Sequence, residues 1–165
     1  MQDQTQNSGL LASITPFARV VVGGLFTFAA YVKLSEPQNF LESVMAFKIF
    51  SGKPLPDHLA TLATFALPWI ELICGVLMVL GLWARSAALV LAGLLVMFIV
   101  ALVLVLQLPG PIECGCFGKF EVPCGAIVGP CHVVRNSVLL GLTALVLFAG
   151  PGKWSVDACR ACKKP

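Results

Sequence analysis

Cys114-Gly115-Cys116 sets two thiols one residue apart, followed by Phe117-Gly118, in a polar loop between two long apolar runs. A bond between them would close a very small ring, and Gly115 is the residue type best able to take the backbone angles that ring demands. Strained and exposed disulfides sit at the labile, oxidising end of the scale, where exchange with a visiting thiol is easy. The chemistry to expect is therefore thiol–disulfide exchange, one of Cys114 and Cys116 attacking and the other resolving. The plainer alternative makes each cysteine half of a structural staple.

Cys124 and Cys131 share that loop, and four cysteines allow three connectivities among which sequence does not choose. Cys114–Cys116 forms a redox pair beside a Cys124–Cys131 staple, or the pairs cross over, or the two pairs exchange. Zinc competes for such a cluster, but its structural sites space ligands by two to four residues in each half, and an outward loop oxidises thiolates. No metal is expected. Cys159 and Cys162 form Cys-Arg-Ala-Cys in the tail and read as a reduced, mobile pair, while Cys74 reads as a small buried apolar residue.

Arg135-Asn136 follows Cys131-His132 at the mouth of the last apolar run. A cation beside a thiol raises its reactive thiolate fraction, so Arg135 and Asn136 are supporting candidates, with Cys124 and Cys131. His132 reads as an interfacial residue with its ring among lipid headgroups. Glu71 lies inside the second run, after Pro68-Trp69-Ile70, where an ionised carboxylate is costly unless paired. Glu71 falls about 16 Å, and Arg19 about 8 Å, from the inner ends of their helices, a gap long side chains close. An Arg19–Glu71 tie is the expectation. It serves the helix packing or a proton or quinone site.

The elements that must position these groups follow from composition. Of 165 residues, 58% are hydrophobic and only 12% charged, against about 25% charged in soluble domains, so the chain cannot cover itself with polar surface. The mean hydropathy is +0.92. The net charge of +3 is dispersed, with no basic stripe, which speaks against nucleic acid as a partner and for a lipid bilayer. Four apolar runs, at 14–32, 59–82, 86–106 and 133–150, each approach the ~20 residues needed to span ~30 Å of hydrocarbon. Continuous runs without period two are helices. Gly23-Gly24, Ala29-Ala30 and Ala87-Ala88 offer close helix contact.

The fold expected is an all-α, integral membrane four-helix bundle, one domain over 1–165. Loops 33–58 and 107–132 lie on one side, and the termini, with a tail at 151–165, on the other. Residues 1–13 contain no Lys or Arg, so the first run reads as a retained span rather than a signal peptide. The single basic residue of the short second connection, Arg85, and the Lys-rich tail favour cytoplasmic termini and an outward cysteine loop. In the first loop, Phe40, Leu41, Val44, Met45 and Phe47 recur at helical spacing, which predicts an interfacial helix within 38–50, ended by Pro54-Leu55-Pro56. It serves as a membrane-surface spacer or a lid over the redox loop.

The sequence resembles the methylamine utilisation protein MauE family, within the wider DoxX-like group of small four-helix membrane proteins. The matching pieces are Arg19 with Gly23-Gly24, Lys33-Leu34-Ser35-Glu36-Pro37, Leu67-Pro68-Trp69-Ile70-Glu71-Leu72 with Gly75, Cys114-Gly115-Cys116-Phe117-Gly118 and Arg135-Asn136. They span about residues 17–145, and the Cys-Gly-Cys-Phe-Gly element discriminates most. The resemblance implies a bacterial inner-membrane protein that helps mature a disulfide-rich periplasmic client, the small subunit of methylamine dehydrogenase. A periplasmic thioredoxin-like partner, MauD, would work beside it. Cys124, Cys131, Cys159 and Cys162 lie outside the matching motif. Two further readings stay open: a non-enzymatic assembly factor with structural disulfides, and a subunit of a quinone-linked oxidoreductase, with quinone the cofactor that the DoxX-like relationship allows.

Overall fold

The computed structural model describes residues 3–46, 56–107, 124–125 and 127–149. Among the described residues five helices follow one another: α1 Asp3–Ser35, α2 Pro37–Ala46, α3 Asp57–Leu80, α4 Ala84–Leu106 and α5 Pro130–Ala149. Four of them carry stretches long and apolar enough to cross a bilayer, at Ile14–Ser35, His58–Leu80, Ala84–Leu106 and Pro130–Ala149. The protein is a multi-pass all-α membrane bundle, with α2 as the short helix of the first loop.

Local chemistry sets the boundaries. Pro37 disfavours helical angles at the residue before it, so α1 ends at Ser35 and the chain turns at Glu36. The Asn39 side chain donates to the Glu36 carboxylate across that corner. Gly81 ends α3 in the left-handed region, at φ 69°, where a side chain would be strained. The Leu82 amide reaches back to the Leu77 carbonyl at 3.0 Å, a Schellman-type close. Trp83 follows, also left-handed at φ 47°, and α4 begins at once.

Helix α1 packs most extensively on α3 and α4 on α5, with further contacts between α1 and α5 and between α3 and α4, so the four long helices close a ring. The α1–α3 contact is backbone on backbone. A Cβ on Gly23 would stand 2.8 Å from the Gly75 carbonyl oxygen, and one on Gly75 would stand 2.7 Å from the Thr27 hydroxyl. Gly24 has open space instead. The core between the pairs includes Val22, Phe26, Met78, Ala88, Leu91 and Leu95, and Cys74 lies among them as a small apolar filler. At one end, Ala101, Leu102 and Val105 of α4 pack with Val128 and Val133. This is also the end with the disulfide described below.

Candidate functional site

The buried acid of the second span has a partner on α1, and it is Lys33. Its Nζ donates to both Glu71 carboxylate oxygens, each at 2.7 Å, with the two side chains 4% and 1% exposed. The Arg19–Glu71 tie expected from sequence is corrected accordingly. Gly23 backs Val79 and Gly75, and Thr27 backs Gly75, so four residues up α1 match four down α3, and Lys33 meets Glu71 by reaching back about two residues. At that register Glu71 is level with about position 31, which leaves Arg19 about 18 Å away along the axis. The expectation failed because it set the helix ends level. In the structure α1 runs past the α3–α4 turn, and Ala18 joins Ala87 and Ala88 in the core.

Lys33 was also expected in a loop, whereas it occupies the last turn of α1. Its ammonium lies 5.0 Å from the ring centroids of both Phe40 on α2 and Phe98 on α4. At that range each ring face attracts a cation, more strongly where water is excluded. Phe40 is buried, so α2 is docked through the residue that covers Lys33. A signal for this was present in the sequence: a lysine four residues before a proline sits inside the helix, and a buried carboxylate demands a cation.

On α5 the chain is fastened by a disulfide between Cys124 and Cys131, whose Cα atoms lie 5.6 Å apart. Crossed pairings that use either cysteine are therefore not formed in this state. Cys114, Cys116, Cys159 and Cys162 lie outside the described residues, as do the tail at 151–165 and residues 47–55 of the first loop. His132 follows Cys131 and is 2% exposed, against the expectation of a ring among headgroups. Helix α5 begins at Pro130, three residues earlier than expected, which draws His132 into the bundle. Its Nδ1 accepts from the Gly129 amide at 3.3 Å. One turn on, the Asn136 side-chain amide donates to the His132 carbonyl at 2.8 Å. Arg135, on the same turn, is partly buried.

Asn136 and the ion pair meet at a cavity of about 30 Å³. Lys33, Glu71 and Asn136 form its polar wall, and Phe26, Leu95 and Leu139 are among its apolar walls. The structure thus brings Glu71 and Asn136 together with Lys33, keeps Arg19 apart, and puts Asn136 five residues, about 8 Å, along α5 from Cys131. Among the described residues no cluster of three or more His, Cys, Asp or Glu side chains offers a metal site.

The sequence model of the methylamine utilisation protein MauE family matches residues 11–149. The "Methylamine utilization protein MauE" of Paracoccus denitrificans is 33% identical over 136 residues, which cover 81% of this chain and 67% of that protein. No solved structure matches the chain. Spanning nearly all of the helical bundle, these similarities establish that the chain belongs to the methylamine utilisation protein MauE family.

Proposed function

We propose that this protein is a membrane thiol–disulfide carrier that acts in methylamine utilisation, maturing a disulfide-rich client at the periplasmic face of a bacterial inner membrane. Membership of the family implies the pathway. The reading of the chemistry is carried by one observation, the Cys124–Cys131 disulfide at the mouth of α5. Disulfides persist in oxidising compartments, which favours an outward loop and cytoplasmic termini. With those two sulfurs engaged, Cys114 and Cys116 are left to pair with each other or with a visiting protein.

In the forward step a client thiolate attacks the Cys114–Cys116 bond, forming a mixed disulfide and releasing the other cysteine as a thiolate. A second client thiolate then attacks the client sulfur of that mixed disulfide, closing the client disulfide and releasing the remaining carrier cysteine as a thiolate. The client gains one disulfide, and Cys114 and Cys116 gain two electrons and two protons. The disulfide of a thioredoxin-like partner returns them to the oxidised state. The client that the family name points to is a methylamine dehydrogenase small subunit, and the partner a MauD-like protein. Arg135 favours the thiolate form by its charge, and Asn136 and the Lys33–Glu71 pair keep the helices below the loop in place.

Trapping tests this reading. Full-length Cys114→Ser and Cys116→Ser variants, expressed with the client and the thioredoxin-like partner, should hold that partner as a reducible mixed disulfide, because the remaining thiolate attacks its disulfide and the resolving sulfur is gone. An assembly factor with structural bridges would mature the client normally as Cys114→Ser and trap nothing. Thiol labelling that found the loop on the cytoplasmic side would end the proposal.

A further inference from the structure

We propose that the cavity walled by Lys33, Glu71 and Asn136 is a binding site for a small neutral hydrogen-bonding molecule of one or two non-hydrogen atoms. Water is the first such molecule, and a one-carbon alcohol the next.

Three observations carry the assignment. The first is size. A buried water needs roughly 10–15 Å³ of such space, so about 30 Å³ has room for two water-sized groups. The second is charge. Lys33 and Glu71 neutralise each other within hydrogen-bond distance, so an added ion would lie unpaired in a medium of low dielectric. A neutral occupant meets no such penalty. The third is the set of hydrogen-bonding groups. The bonds in place take two of the three Lys33 N–H groups, and each Glu71 oxygen retains acceptor capacity. Asn136 uses one amide N–H on the His132 carbonyl and keeps the other N–H and its own carbonyl. Three polar side chains from α1, α3 and α5, each more than nine-tenths buried, therefore border one small and otherwise apolar space. A water normally needs two to four such partners.

The occupant supplies what the direct contacts lack. A buried ion pair is stable only when its remaining lone pairs and protons are also satisfied. A molecule bridging the pair to Asn136 meets that need and ties α5 to the α1–α3 pair. Leu95 and Leu139 form apolar wall beside it, which would take a methyl group.

Solid-state NMR of the labelled full-length protein in lipid bilayers tests the site. With magnetisation starting on water, the Asn136 side-chain amide and the Lys33 ammonium should gain signal several-fold faster than the Leu95 and Leu139 backbone amides. A second sample soaked with ¹³C-methanol identifies the occupant. Contacts from its methyl to Leu95 and Leu139 side chains show a one-carbon molecule bound, and water contacts alone show water. Ala29→Leu fills the space from α1 and should abolish the fast transfer, and Leu139→Phe does so from α5 if the first variant does not fold. Build-up at Asn136 and Lys33 no faster than at the leucine amides, with no methanol contact, overturns the proposal. So does fast transfer that survives both fillings.

Discussion

Replacing Lys33 by methionine keeps most of its volume and removes its charge, leaving the Glu71 carboxylate inside the bundle without its cation. Removing one partner of a buried ion pair costs about 3–5 kcal/mol, and the charge-insertion cost at a membrane helix centre, about 2.5–3.5 kcal/mol, sets a similar scale. Both oxygens are engaged at 2.7 Å and both side chains are at least 96% buried, so the full range applies. The loss of attraction to Phe40 and Phe98 falls within it. Glu71→Leu alone should cost a comparable amount, by stranding the ammonium. The double variant Lys33→Met, Glu71→Leu should come back to within about 1 kcal/mol of the native protein, since apolar replacement of a buried pair is often neutral. The coupling between the two sites is then about 5 kcal/mol or more. Unfolding in mixed detergent–SDS micelles, read by tryptophan fluorescence, measures all four corners of the cycle. Arg19→Met with Glu71→Leu is the control, and should be additive to within about 0.5 kcal/mol because the sites are far apart. Additivity for Lys33, or coupling for Arg19, would refute the pairing and the helix register built on it.

Gly23→Ala and Gly75→Ala should each destabilise the bundle by roughly 1–3 kcal/mol in the same assay, because the new methyl meets backbone or Thr27, whereas Gly24→Ala should be close to neutral. Cys124→Ser frees Cys131 and opens a loop of about eight residues. The expected loss is roughly 2–3 kcal/mol, with one additional thiol on mass-detected alkylation. Phe40→Ala should undock α2 and speed hydrogen exchange of the Pro37–Ala46 amides, while leaving exchange in α4 unchanged. Slow exchange retained in α2 would show that its hold lies elsewhere.

The bundle was legible in the sequence because apolar length and composition leave few alternatives in a bilayer, and Phe40, Leu41 and Val44 marked α2 by spacing alone. Glu71 stood out by its charge, and its partner did not. Charge in a linear chain says that a cation is needed, and only the relative sliding of two helices says which one. That sliding is set by the Gly23–Gly75 contact, a matter of two missing side chains. His132 was misplaced for a related reason: its burial depends on α5 starting at Pro130, and proline is tolerated in a first helical turn as readily as before one. Cys124–Cys131 was one of several pairings that the spacing permitted, and folded proximity singles it out.

The Gly81-Leu82-Trp83 corner has a mechanical corollary. Three residues stitch α3 to α4, so the α1–α3 and α4–α5 pairs are pinned together at that pole, each acting as one hairpin. Whatever slack the molecule has must appear at the opposite pole, like the blades of shears joined at one rivet. Lys33, Phe40 and the mouth of α5 all lie there, so any parting of the hairpins would first be felt by the sulfur-bearing segment above them.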